Sequence, residues 1–227
     1  MERFASGLGA VSRALVTVDT ETGVRLALVD VTHHDRADSS CWTVQGMKAT
    51  QSGCYDFAGI AVQDIRWVGG AGDYLREPHF VGGVWRIAAL QVGGAIGLLD
   101  CAVGALRAMG RLEAQAQQTR LMNVLMRAWA GAALTERAAQ APADPTVPVE
   151  GVVATAISAR LFTEEVGLDA IRAVEQSIGL RHFEAGSDTG RKARDLAVYL
   201  RQVARDAFVQ RAASHALLND QPWGVFG

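Results

Sequence analysis

The stretch that most limits what this chain can fold into is Val84 to Gly110, VWRIAALQVGGAIGLLDCAVGALRAMG. Between Ala88 and Leu106 only Gln91 and Asp100 are polar, and a helix that is apolar all round is buried in protein or in lipid. Lipid is disfavoured because Asp100 would lie near the bilayer centre at a cost of about 2.5 to 3.5 kcal/mol, and because Arg86, Arg107 and Arg111 frame a short run. The stretch therefore reads as the buried central helix of a soluble bundle. Gly93, Gly94, Gly97 and Gly104 each cost such a helix about 1 kcal/mol of propensity, which implies another backbone or a ligand close by. The GGAIG cluster lies inside the helix rather than between a strand and a helix, so close helix packing is expected there and not a phosphate loop.

The chain changes character near residue 80. Before it, Ala14–Val18 and Arg25–Val31 are short β-rich runs separated by turn formers at Asp19–Gly23, a hairpin signal with a loop of several residues. Further strands are expected at Ser40–Val44, Gly53–Phe57 and Ile60–Val62, with a loop from Val68 to Pro78 leading out. After Phe80, helices are expected over Val84–Gly110, Leu112–Gln140, Val152–Ile178 and Gly190–Leu218. A proline-rich loop, Ala141–Gly151, separates the second from the third. The predicted fold class is α+β: a small antiparallel β unit (1–80, an incomplete β-barrel) followed by a four-helix up-down bundle (81–227).

A formal net charge of −2 and the lack of any Lys/Arg run give no reason to expect nucleic acid. The histidines include one adjacent pair, His33 and His34, and Cys41, Cys54 and Cys101 are widely spaced. Neither a metal site nor a disulfide framework is expected, and reduced thiols fit the cytoplasm. The first residues carry charge and glycine without a continuous apolar core, so no signal peptide is expected. P-loop, GxGxxG, GxSxG and HExxH motifs are absent from the sequence. Glu164, Glu165 and Asp188 could act as a general base, but are read as solvated or capping carboxylates near helix ends. Arg194-Asp195 reads as an ion pair fixing helix to helix, and Trp42, Trp67 and Trp85 as core.

Several of these segments together resemble the acyl-CoA dehydrogenase family. Gly46–Gly53 followed by Tyr55-Asp56-Phe57 is similar to the strand and edge that close the family's middle β domain. Phe4–Gly7 resembles the strand after its G-x-K turn, and Arg86 with GGAIG the start of its first C-terminal bundle helix. The tightest correspondence is Gln-x-x-Gly followed, eighteen residues after the glutamine, by Arg-Asp; here Gln176 and Gly179 precede Arg194-Asp195. The resemblance implies an FAD-dependent oxidoreductase acting on the CH–CH bond of an acyl-CoA thioester. Gln176 and Gly179 would lie against the ADP part of FAD, while Arg107 and Gln118 would reach the pyrophosphate from a neighbouring subunit. Leu180 and His182 stand where the family has its second and third glycines, and Val203 and Trp85 where its branches place the catalytic glutamate. The family's helical N-terminal domain and first β strands have no counterpart. The resemblance therefore also implies an alternative: a non-catalytic partner subunit of a hetero-oligomer with a complete acyl-CoA dehydrogenase. In either case a homo- or hetero-oligomer is expected, since helix surface left uncovered is apolar.

Overall fold

The computed structural model describes residues 2–201, 204–218 and 224. The chain divides into two compact units, Met1–Arg76 and Glu77–Gly227. The first holds two three-stranded antiparallel sheets. One is formed by β1 (Glu2–Ala5), β5 (Gly53–Tyr55) and β4 (Ala37–Asp38), with β5 in the middle. The other has β2 (Arg13–Thr20), β3 (Gly23–Asp30) and β6 (Arg66–Val68), with β3 in the middle.

The β2–β3 hairpin is tighter than its turn formers suggested. Thr20 pairs with Gly23, leaving Glu21-Thr22 as the loop, and the Thr20 hydroxyl donates to the Gly23 carbonyl at 2.6 Å. Gly23, at φ +117°, supplies backbone that a side chain would strain. Period-two alternation sends Ala14, Val16 and Val18 inward against Ala27, Val29, Val31 and Tyr55.

Two expected strands do not form. At Ser40–Val44 the chain instead enters a 3-10 turn, Ser39–Cys41, because the Asp38 carboxylate accepts from the Ser40 amide (2.9 Å) and hydroxyl (2.6 Å). A local side-chain bond of this kind outcompetes a ladder. At Ile60–Val62 the chain makes another 3-10 turn, Val62–Asp64, and pairing begins only at Arg66. The expectation of unpaired thiols is also corrected. Asp38 pairs with Cys54 across β4 and β5, which brings Cys41 within reach, and Cys41 and Cys54 form a disulfide with Cα atoms 5.8 Å apart. Cys101 is free.

The second unit is a helical bundle: α1 (Trp85–Ala108), α2 (Gln115–Gln140), α3 (Val149–Ile178), α4 (Asp188–Leu200) and α5 (Arg205–Leu218). Helix α3, not α1, is its centre. It buries 18 of its 30 residues and packs on the other four helices. It also starts a turn earlier than expected, since Pro148 supplies a φ of −65° at the cap. Helix α1 buries only one stripe, Ala88, Gln91, Val92, Ala95, Leu98, Leu99, Ala102 and Leu106. Leu90 is 62% exposed, and a Cβ on Gly93, Gly97 or Gly104 would meet nothing within 4 Å. Only Gly94 bears out the close-packing reading: its missing Cβ would lie 2.9 Å from Leu196 of α4. Residues apolar by type thus left a face uncovered, because glycines carry no side chain that demands burial.

The single helix expected over Gly190–Leu218 is two. Arg201 is extended (φ −77°, ψ 92°) and Ala204 left-handed (φ +61°). Leu200 is seated on Gly167, where a Cβ would lie 2.8 Å from it, and α5 then follows α3 separately.

Reducing the Cys41–Cys54 bond releases a loop with a sequence separation of 13, and the β unit is expected to lose about 2 to 3 kcal/mol of stability. Denaturant unfolding followed through Trp42 and Trp67 fluorescence, with and without reductant, measures this; coincident curves would contradict it.

Candidate functional site

The residues singled out for cofactor binding collect at one end of the bundle, where α1 and α3 finish and α2 and α4 begin. Helix α1 stops at Gly110 (φ +65°), with the Arg111 amide bonding back to the Leu106 carbonyl at 2.9 Å. This is the left-handed stop that glycine permits, and it turns the chain into α2 within a few residues. Arg107, in the last turn of α1, and Gln118, in the first turn of α2, are both exposed.

A partly buried set of hydrogen bonds fastens the start of α2 to the end of α3. Gln117 Nε2 donates to the Ser177 carbonyl at 3.3 Å. Arg120 Nη1 donates to Gln117 Oε1 at 2.7 Å and to Ser177 Oγ at 3.4 Å. Gln118 and Gln176 each sit one residue from this fastening and face out. Gly179 then ends α3 at φ +70°, ψ −146°, its amide bonded to the Glu175 carbonyl.

Beyond Gly179 the chain departs from a glycine-lined approach. Leu180 is 85% exposed, whereas His182 is turned inward and 3% exposed. His182 Nδ1 lies 3.2 Å from Thr189 Oγ1, which is 3.0 Å from Ser187 Oγ. Ser187 caps α4 by accepting from the Gly190 amide at 3.1 Å. Gly190 has no room for a Cβ, which would strike the His182 carbonyl. Burial holds the His182 imidazole below its ordinary pKa, with Glu175 opposing and Arg194 reinforcing the shift. Beside this corner lies an open cleft of about 440 Å³ whose lining includes Gly104, Met109, Ile178, Arg181, Ser187 and Thr189.

The other candidates are occupied by structure. Trp85 is half-buried at the start of α1 with the Arg86 guanidinium 4.6 Å over its ring. Val203 lies outside the described residues. Glu164 is not at a helix end but in the middle of α3 and buried, and with Glu165 it pairs with Arg205. Asp188 pairs with Arg191 at 3.1 Å, and Asp195 lies 3.9 Å from Arg191 of its own helix. In the β unit, Trp42 donates to the Gly46 carbonyl (3.2 Å) and Trp67 lies under Arg25 (4.5 Å). The Gln117–Ser177 fastening and the His182–Thr189 pair carry no sequence signal of their own; the Ser187 cap does, as a serine opening a helix.

No protein-family model matches the sequence, and neither does any curated protein sequence. Solved structures do match. A dibenzothiophene monooxygenase from Paenibacillus sp. A11-2 aligns with a TM-score of 0.75 at 17% identity, over 96% of this chain and 63% of its own. Butyryl-CoA dehydrogenase from Megasphaera elsdenii aligns at 0.72 and 14% identity, over 95% and 59%. A flavoprotein nitroalkane oxidase aligns at 0.71 and 15% identity, over 97% and 60%. These proteins have the acyl-CoA dehydrogenase fold, and this chain has the same fold. It spans about 60% of the length of the structures it matches.

The donor set at the bundle end suits FAD in its chemistry: the exposed guanidinium of Arg107 for an anion, the carboxamides of Gln118 and Gln176 for hydrogen-bonding edges, and a glycine at 179. The fit is confined to those positions, since Leu180, which follows Gly179, carries an exposed apolar side chain.

The lowered His182 pKa gives stability a defined pH dependence. The unfolded chain takes up the proton first, so the contribution is complete above the ordinary imidazole value of 6.5 and is lost as pH falls through the lower folded value. The urea midpoint is expected to fall below about pH 6.5, and less steeply in His182→Gln. Parallel pH profiles for the two proteins would rule the assignment out.

Proposed function

We propose that this chain is an acyl-CoA dehydrogenase-like flavoprotein subunit, an oxidoreductase component whose bundle end binds the ADP portion of FAD. The observation that carries the reading is the convergence of Arg107, Gln118, Gln176 and Gly179 on one end of the bundle, fixed there by the Gln117–Ser177 fastening. When bound, FAD supplies the hydride acceptor for oxidation of an acyl-CoA thioester. The part of this chain is to hold the nucleotide: Gln176 fixes its orientation, and Arg107 and Gln118 reach the phosphates of a neighbouring subunit's cofactor.

A second reading is favoured by Trp85. An indole cannot accept the α proton that a glutamate removes, and losing a general base costs typically about 10²- to 10⁴-fold in rate. On this reading the chain contributes half a cofactor site to a complete acyl-CoA dehydrogenase subunit and leaves proton abstraction to it. An oligomer is part of both. Met122, Met126 and Trp129 recur at helical spacing on the outer face of α2, all exposed, and such residues are enriched where subunits meet.

Native mass spectrometry with absorbance spectroscopy tests the proposal. Flavin at about one per chain is expected, with Arg107→Ala and Gln118→Ala each weakening FAD binding about tenfold. Purified protein that takes up no added FAD would eliminate it. Anaerobic bleaching by acyl-CoAs separates the two readings: bleaching by this chain alone supports the enzyme, and bleaching only after a complete subunit is added supports the partner.

A further inference from the structure

Helix α5 is attached by charge more than by burial. None of its residues from Arg205 to Leu218 is fully buried, although it lies along α3. Arg205 at its start pairs with Glu165 Oε1 (2.6 Å) and Glu164 Oε1 (3.4 Å). One turn on, the Phe208 ring packs under the Arg160 guanidinium at 4.6 Å. Arg211 then reaches Glu150 Oε1 in the first turn of α3 (2.7 Å) and Glu77 Oε1 ahead of α1 (3.1 Å). The second oxygen of Glu77 accepts from the Val81 and Gly82 amides at 3.0 and 3.3 Å, so Arg211 grips a carboxylate that is itself held. Both arginines are partly exposed, which leaves their pairs open to screening.

Beneath α5 lie charged groups of α3. Arg160 is 1% exposed, and its Nε and Nη2 have no hydrogen-bond partner; neither has Glu164 Oε2. Covering such groups costs free energy that water returns when the cover lifts. Helix α4 ends at Leu200, which packs on Gly167 of α3, and α5 begins separately at Arg205.

We propose that α5 is an electrostatic strap, which closes over Arg160 and Glu164 while the Arg205 and Arg211 pairs are intact and lifts from α3 as a unit when they are screened or removed, the rest of the bundle remaining folded.

Hydrogen exchange of the full chain, resolved by peptide, tests this at about 10 mM and about 1 M NaCl, where the Debye length falls from about 30 Å to about 3 Å. Amides of α5 are expected to exchange about tenfold faster at high salt, with those in the middle of α1 and α3 unchanged. The double variant Arg205→Met, Arg211→Met is expected to show the fast rate already at low salt and no further salt response. Glu150→Gln, which removes one exposed carboxylate, should give an intermediate rate if the double variant does not fold. Equal α5 rates at both salt concentrations, or acceleration only together with α1 and α3, would overturn the strap.

Discussion

The bundle depends on how closely its helices approach α3. Glycines and small residues set that distance. Gly167 lets Leu200 of α4 come to 2.8 Å of where a Cβ would stand, and a Cβ on Gly131 of α2 would lie 3.2 Å from the Thr163 methyl. Ala156, Ala159, Ala170 and Ala173 keep the remaining sides of α3 narrow and buried. Helices packed this tightly gain dispersion contact along their whole length. In exchange, polar groups are drawn inside, and several of them find partners within the bundle. Thr155 bonds to the Gly151 carbonyl at 2.7 Å, and Thr163 bonds to Gln91 Oε1 at 2.7 Å and to the Ala159 carbonyl at 2.9 Å.

That arrangement also positions the candidate site. Helix α3 keeps one exposed stripe, Ser158, Glu165 and Arg172, and at its end Gln176 and Gly179 emerge beside the start of α2. The Ser187 cap and the His182–Thr189 pair hold the return into α4 against the same end. What is presented outward is short and polar on α2 and α3 and apolar at Leu180. The end of the bundle thus offers hydrogen-bonding side chains rather than an open backbone cradle.

Much of this was legible in the sequence, for reasons that also explain what was not. The helices announced themselves by apolar spacing, and Pro142, Pro145 and Pro148 placed the break before α3. The role of α1 was misread because type and burial are different things: a glycine counts as apolar yet needs no cover. The interruption after Leu200 has no glycine or proline to mark it and follows from where Leu200 and Arg205 dock on α3. The Asp38 carboxylate closes a turn that ends β4 and leaves Cys41 facing Cys54. The spacing from Arg107 to Gln118 and from Gln176 to Gly179 was readable through resemblance alone. The bond from Gln117 to Ser177, across 60 residues, was beyond any local pattern.

Helix α2 shows what such a bond supplies. Its buried stripe of Leu121, Val124 and Ala128 and its exposed stripe of Met122, Met126 and Trp129 lie roughly 130° apart around the helix. Hydrophobicity alone therefore does not fix the rotational phase of this helix about its own axis, since a rotation of about a third of a turn would exchange one apolar face for another. The phase is chosen by polar and steric contacts: Gln117 and Arg120 on Ser177 at one end, and Gly131 beneath Thr163 further along. Groups that add little net stability here carry the information that decides which face of α2 looks outward.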